Sequence, residues 1–166
     1  SKMNIIEILK KNCGPFIIVL ISFSIDRITK NLILRNSEIH NTIYINDFLN
    51  FDLVWNTGIG FGLLSLSNVF FYNVITILIF LIIIYIVYMF KKLSMIERYY
   101  FSLILGGAVG NFYDRVDLNA VPDFIDLHYK NFHWFTFNFA DIFITFGVII
   151  LVLNEIFIGK NDFKNS

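Results

Sequence analysis

One cysteine, Cys13, is all that 166 residues provide. That excludes an internal disulfide and any cysteine-rich zinc or iron–sulfur site, and it leaves the redox compartment unreadable. Charge is scarce too: 16% of the residues are charged, and thirteen basic against thirteen acidic side chains give a formal net charge of zero. Neither a nucleic-acid patch nor an acidic tail follows from that balance. No Gly-x-Ser-x-Gly occurs, so a serine mechanism has no visible nucleophile. His128 and His133 stand five apart with no glutamate between them, off the i,i+4 spacing of an HExxH zinc site. No metal and no cofactor is expected. The chain also lacks internal repeats, low-complexity stretches and linkers, and residues 1–166 read as one domain. Ser1 and Lys2 precede the first methionine, Met3, and are left out of the fold reading.

What is abundant is apolar surface. With 57% hydrophobic residues and a mean hydropathy of +0.68, the chain holds more than a soluble domain of this length can bury, which points to a bilayer. Val69–Phe90 is apolar almost throughout, long enough at 1.5 Å per residue to cross a core of roughly 30 Å, and Lys91–Lys92 end it. Three further stretches, about 15–34, 95–116 and 139–158, have the length of spans but carry polar residues. The first could pass for a signal sequence, because Lys10–Lys11 precede it. No small-residue cleavage site follows, however, and the pattern continues past Asp26, so it reads as a retained span. Eight of the thirteen basic residues (Lys2, Lys10, Lys11, Lys91, Lys92, Arg98, Lys160 and Lys164) fall on one side of four such helices. The positive-inside rule places both termini in the cytoplasm and residues 35–68 and 117–138 outside. Thr42–Trp55 mixes β-branched and aromatic residues in partial alternation, which favours a small extracytoplasmic sheet, accompanied by a short loop or helix. Trp55, Trp134, Tyr44, Phe132 and Phe135 suit the headgroup region. The fold expected is a mainly α membrane protein: four transmembrane helices under a small sheet.

Ionisable groups near helix ends in a membrane each call for an explanation. Asp26 and Lys30 are four apart with the acid first, the favourable order for a helical ion pair, and a structural role is the simplest reading. Asn111, Asp114 and Arg115 lie at i, i+3 and i+4 on the third helix; Arg115 has the alternatives of neutralising Asp114 or reaching a phosphate headgroup. Asn138 and Asp141 are three apart where the fourth helix begins, and on spacing alone they read as an N-cap and its N3 acid. Asp123 precedes Asp141 by eighteen residues. Gly106 and Gly110 form a GxxxG, usually a sign of close helix packing. Gly58, Gly60 and Gly62 read as a tight turn. Two carboxylates held close cannot both ionise easily, so one polarises a carbonyl while the other activates water. Spacing does not select that pair among Asp26, Asp114, Asp117, Asp123, Asp126 and Asp141.

Five blocks in order resemble the bacterial lipoprotein signal peptidases, the signal peptidase II family of aspartyl membrane peptidases. They are Asp26-Arg-Ile-Thr-Lys30, Asn56-Thr-Gly-Ile-Gly-Phe-Gly62, Gly106-Gly-Ala-Val-Gly-Asn-Phe-Tyr-Asp-Arg115, Val121-Pro-Asp-Phe-Ile-Asp126 and Phe137-Asn-Phe-Ala-Asp141. The resemblance implies Asp123 and Asp141 as the catalytic dyad, in preference to the capping role of Asp141. It implies Asn56, Gly58, Asn111, Arg115 and Asn138 at the substrate site, with Asp26, Lys30, Gly107 and Asp114 in support. It further implies metal-independent cleavage of diacylglyceryl-modified prolipoproteins just before the lipidated cysteine, at the extracytoplasmic face of the bacterial inner membrane. Expected partners are those substrates, membrane lipids and globomycin-type cyclic peptides that inhibit the family, with no nucleic acid and a monomeric enzyme. Two departures stand out: Ile59-Gly60 replace the family's usual pair of alanines, and the stretch from Asp123 to Asp141 is one residue shorter than in some members. The competing readings are a non-enzymatic membrane transporter or lipid-binding subunit, and a metal-dependent membrane hydrolase.

Overall fold

A computed structural model of the chain describes residues 5–36, 42–58 and 69–162. The order of elements is α1 (Ile5–Arg35), β1 (Ile43–Asn46), β2 (Leu49–Asn56), α2 (Val69–Met89), α3 (Met95–Asp117), β3 (Val121–Tyr129), β4 (Phe132–Phe137) and α4 (Phe139–Asp162). The four helices lie where hydropathy placed them, with two extensions. Helix α1 begins at Ile5 and runs through Pro15, the expected start; an apolar helix tolerates a proline where neighbouring groups take over its lost hydrogen bond. Helix α4 continues to Asp162. Two of the four, α2 over Phe70–Met89 and α4 over Phe139–Phe157, are long and apolar enough to cross a membrane. The other two carry their charged residues in their C-terminal halves.

Burial is inverted relative to a water-soluble bundle. Asp26, Lys30 and Asp114 are fully buried, while Phe16, Leu20, Ile28, Ile77, Leu81 and Phe146 stand about half exposed. Helix α3 is the centre and packs on α1, α2 and α4. It starts cleanly because Ser94 and Glu97 form a reciprocal capping box, satisfying two N–H groups that the first turn otherwise leaves open. Its α2 contact is an aliphatic cluster of Ile83, Ile86, Ile104, Leu105 and Ala108. Its other two contacts depend on glycine. A Cβ at Gly106 would collide with Ser22 and the Val19 carbonyl of α1, and one at Gly107 would stand 2.5 Å from the Ala140 carbonyl oxygen of α4. The GxxxG is therefore a packing face, towards α1, and the adjacent glycine serves α4.

The four strands form one antiparallel sheet in the order β1-β2-β3-β4. The strands expected in Thr42–Trp55 are present as β1 and β2. The second outer segment, expected as connecting loop or short helix, is instead the hairpin β3–β4, which turns at Lys130 with φ 54°. Its strand character is hidden because Val121–Asp126 is buried on both faces, so polar and apolar residues do not alternate. Gly60 and Gly62 of the expected tight turn, with Ile59, lie outside the described residues.

Replacing Gly107 by alanine forces its new methyl against the α4 backbone, which cannot rotate away as a side chain would. Overpacking of this kind costs about 1–3 kcal/mol, and the expected result is a lowered thermal unfolding midpoint in detergent. An unchanged midpoint would mean that α3 and α4 have slack at this crossing.

Candidate active site

Lys30 is the buried hub of a polar cluster. Its ammonium donates to Asp26 at 2.9 Å, to Asn111 Oδ1 at 2.9 Å and to Asp114 Oδ2 at 2.6 Å, which uses all three of its N–H donors. The i,i+4 spacing on α1 brings Asp26 beneath Lys30, and the i,i+3 spacing on α3 presents Asn111 and Asp114 together. Arg27 adds a second cation, 3.0 Å from Asp26 and 2.6 Å from Asp114. The other oxygen of Asp26 accepts the backbone N–H of Ala140 at 3.1 Å, which fixes the first turn of α4 to the same cluster. Gly110 leaves room for this carboxylate, since a Cβ there would lie 2.5 Å from Asp26 Oδ2.

Above this platform sit two more carboxylates joined by Asn138. Asn138 Oδ1 accepts the N–H of Asp141 at 3.1 Å, and Asp141 Oδ2 accepts the N–H of Asn138 at 3.1 Å. The capping box read from spacing is thus real. The same Asn138 donates from Nδ2 to Asp123 Oδ1 at 2.6 Å, so capping and site-building are two uses of one side chain. Asn111 Nδ2 donates to Asp141 Oδ1 at 2.8 Å, and Asn56 Nδ2 to Asp123 Oδ2 at 2.9 Å. Asp123 arrives on β3, and Asp141 on the first turn of α4. Burial pushes the Asp123 carboxyl up, the charge of Asp141 pushes it the same way, and the amides of Asn56 and Asn138 oppose them; the net is about 6. Desolvation and a like charge are the two causes expected for carboxylates sharing a site.

The remaining aspartates are separated from this pair. Asp26 and Asp114 are held in the ion pairs just described, Asp117 is exposed, and Asp126 meets His133 at 2.7 Å. His128 and His133 are cross-strand partners, stacked with ring centres 5.4 Å apart. Among the described residues no three His, Cys, Asp or Glu side chains are grouped to hold a metal ion. Every residue singled out from the sequence lies in or against the cluster, with Gly107 contributing through helix approach alone. Arg115 does not neutralise Asp114, whose charge Lys30 and Arg27 already balance. It turns instead to the Gly58 carbonyl at 3.3 Å and lies 5.3 Å over the Tyr72 ring. Its Nε and Nη1 are buried without a partner. Arg27 and Tyr72 were not singled out. The first was detectable as a charge beside Asp26 in an apolar run; the second, whose hydroxyl donates to the Arg115 carbonyl at 2.8 Å, had no sequence signal.

Comparison with known proteins places this geometry in context. The model of the family described as signal peptidase (SPase) II matches residues 18–157. A lipoprotein signal peptidase of Pelagibacter ubique is 55% identical over 153 residues, covering 90% of this chain and 92% of that protein. One from Francisella tularensis subsp. novicida is 35% identical over 160 residues, covering 94% and 99%. A bacterial membrane enzyme solved by the in meso method at 2.3 Å superposes with a TM-score of 0.74 at 32% identity, covering 89% of this chain and 90% of that one.

Two outcomes test the cluster. Lys30→Ala strands two buried carboxylates, and breaking a buried pair costs about 3–5 kcal/mol; unchanged thermal stability would contradict the hub assignment. Asp141→Asn removes the charge that helps raise Asp123, so the Asp123 titration, followed by infrared carboxyl absorption, moves below about 6. The sign for stability follows. A folded carboxyl raised from 3.8 to about 6 contributes stability that is full below its unfolded value and is lost as pH rises through about 6.

Proposed function

The chain belongs to the signal peptidase II family of lipoprotein signal peptidases, and from that premise we propose that it removes signal peptides from diacylglyceryl-modified prolipoproteins by an aspartyl dyad, Asp123 and Asp141. The observation that carries this reading is the meeting of two carboxylates from β3 and α4 on one buried amide, Asn138, with one of them raised to about 6. The protonated partner polarises the scissile carbonyl and donates to its oxygen as the tetrahedral intermediate forms. The ionised partner takes a proton from the attacking water and returns it to the leaving amine as the C–N bond breaks. Asp123 is assigned the proton. Substrate binding displaces further water and moves its carboxyl in the same direction.

A count of buried charge supports a single shared proton. Arg27, Lys30 and Arg115 are three cations facing four carboxylates, Asp26, Asp114, Asp123 and Asp141. One retained proton makes the cluster neutral, the state a low-dielectric site favours. Asn56, Gly58 and Arg115 line the substrate side, and the unpartnered N–H groups of Arg115 are free to hold peptide carbonyls. Asn111 and Asn138 position the dyad. Asp26, Lys30, Asp114 and Gly107 form its support.

All four helices cross the bacterial inner membrane in this reading, as one domain with both termini cytoplasmic and the sheet outside. Helices α1 and α3 fall short of apolar spans by composition because they contribute the paired charges, which face α3 and α1 rather than lipid. The site lies at the extracytoplasmic edge, the depth at which a lipid-anchored substrate presents its peptide. Globomycin-type cyclic peptides compete for the same site, and the enzyme acts as a monomer without a metal or cofactor.

Cleavage of a purified diacylglyceryl prolipoprotein, followed by gel shift in the presence of EDTA, tests the proposal. Wild type is expected to cleave at an undiminished rate under chelation, and Asp123→Asn and Asp141→Asn each to lose about 10³-fold or more. No cleavage by folded wild type, or survival of activity in either variant, would overturn it.

A further inference from the structure

Below the candidate dyad, a groove of about 330 Å³ opens along α4, and Asp141 forms one end of it. Phe135 and Phe137 of β4 flank it, and Ile142, Thr145, Phe146 and Ile149 of α4 continue it. Those four positions are one stripe at i, i+3, i+4 and i+7, so the groove follows the helix axis. From Asp141 to Ile149 it descends about 12 Å at 1.5 Å per residue, away from the sheet and towards the middle of the span. Apart from Asp141 and the hydroxyl of Thr145, its side chains are apolar.

We propose that this groove receives an acyl chain of the substrate's own lipid-modified cysteine and is a specificity-determining part of the enzyme; the inference rests on the peptidase reading given above. Direction distinguishes this occupant from the peptide. A signal-peptide side chain beside the scissile bond is short and sits at the level of the carboxylates. An acyl chain attached to the residue after that bond hangs along the membrane normal, the direction in which the stripe runs. The shared Asp141 makes groove and dyad continuous, so a chain seated in the groove holds the modified cysteine against the reacting carboxylate. Lipid tails are as apolar as leucine, so the groove gains little by withdrawing a chain from the bilayer. Its contribution is orientation, which converts a laterally diffusing lipid into a positioned one. The prediction is a length dependence with a structural ruler: Thr145 lies one turn below Asp141 and Ile149 two turns below.

The test uses purified full-length enzyme in micelles and prolipoprotein peptides that differ only in their glyceryl-linked chains: dibutyryl, dioctanoyl and dipalmitoyl. Wild type is expected to cleave the longer-chain substrates with higher kcat/KM. Ile149→Trp fills the lower groove and should reduce the dipalmitoyl-to-dibutyryl ratio of kcat/KM by about fivefold or more, equivalent to roughly 1 kcal/mol of positioning. Thr145→Phe fills the upper groove and should reduce the dioctanoyl-to-dibutyryl ratio as well. Both side chains face outward from the bundle, so the substitutions need not disturb its packing, and thermal midpoints verify that each variant is folded. Wild-type cleavage with equal effects of each variant at all chain lengths, or with no effect, would overturn the groove and mark it as a resting place for bulk lipid. Absence of wild-type cleavage from every substrate would instead overturn the peptidase reading on which the groove depends.

Discussion

The ammonium of Lys30 holds three helices to one point. It lies on α1, hydrogen-bonds Asn111 and Asp114 on α3, and through Asp26 reaches the backbone of Ala140 on α4. A buried cation is costly unless paired and fully hydrogen-bonded, and here each of its donors has an oxygen. Because Asn111 also donates to Asp141, the position of one candidate catalytic oxygen is set two hydrogen bonds away from that ammonium. The support and the dyad are therefore one network. Rigid positioning of a reacting group depends on what locks its neighbours, and Lys30 supplies that lock.

The glycines make the network possible. Gly106 and Gly110 bring α3 against Ser22 and Asp26 on α1, and Gly107 and Gly147 bring α3 against Ala140 and Tyr100. Side chains at any of these positions would hold the helices too far apart for 2.6–3.1 Å hydrogen bonds between Lys30, Asp114, Asp26 and Ala140. Close packing in this protein thus serves electrostatics as much as cohesion.

Much of this was legible in the sequence, and the reasons differ by element. Helix α2 is an uninterrupted apolar run, and the Asp26–Lys30 spacing is local, so both could be read directly. The reciprocal cap of Asn138 and Asp141 was also local, but its second use was not, because the partner Asp123 arrives on a strand whose pairing spacing does not reveal. Strand β3 gave no alternating pattern, since the sheet covers one of its faces and the bundle the other. Choosing Asp123 and Asp141 from six aspartates required the resemblance of whole blocks; in the structure the other four are occupied by cations, His133 or solvent. Tyr72 and Arg115 pair across α2 and α3, a long-range contact no single segment encodes.

The division of charge between helices also bears on how the molecule is made. Helix α1 carries Asp26, Arg27 and Lys30, an excess of one positive charge, and the carboxylate that balances it, Asp114, is on α3. At the ribosome α1 emerges long before α3. For that interval its C-terminal half holds an uncompensated cation, so the helix cannot settle at its final depth until synthesis has passed Asp114. Assembly is thereby ordered in time: α1 waits at the insertion machinery, or at the membrane surface, for a partner some eighty residues downstream.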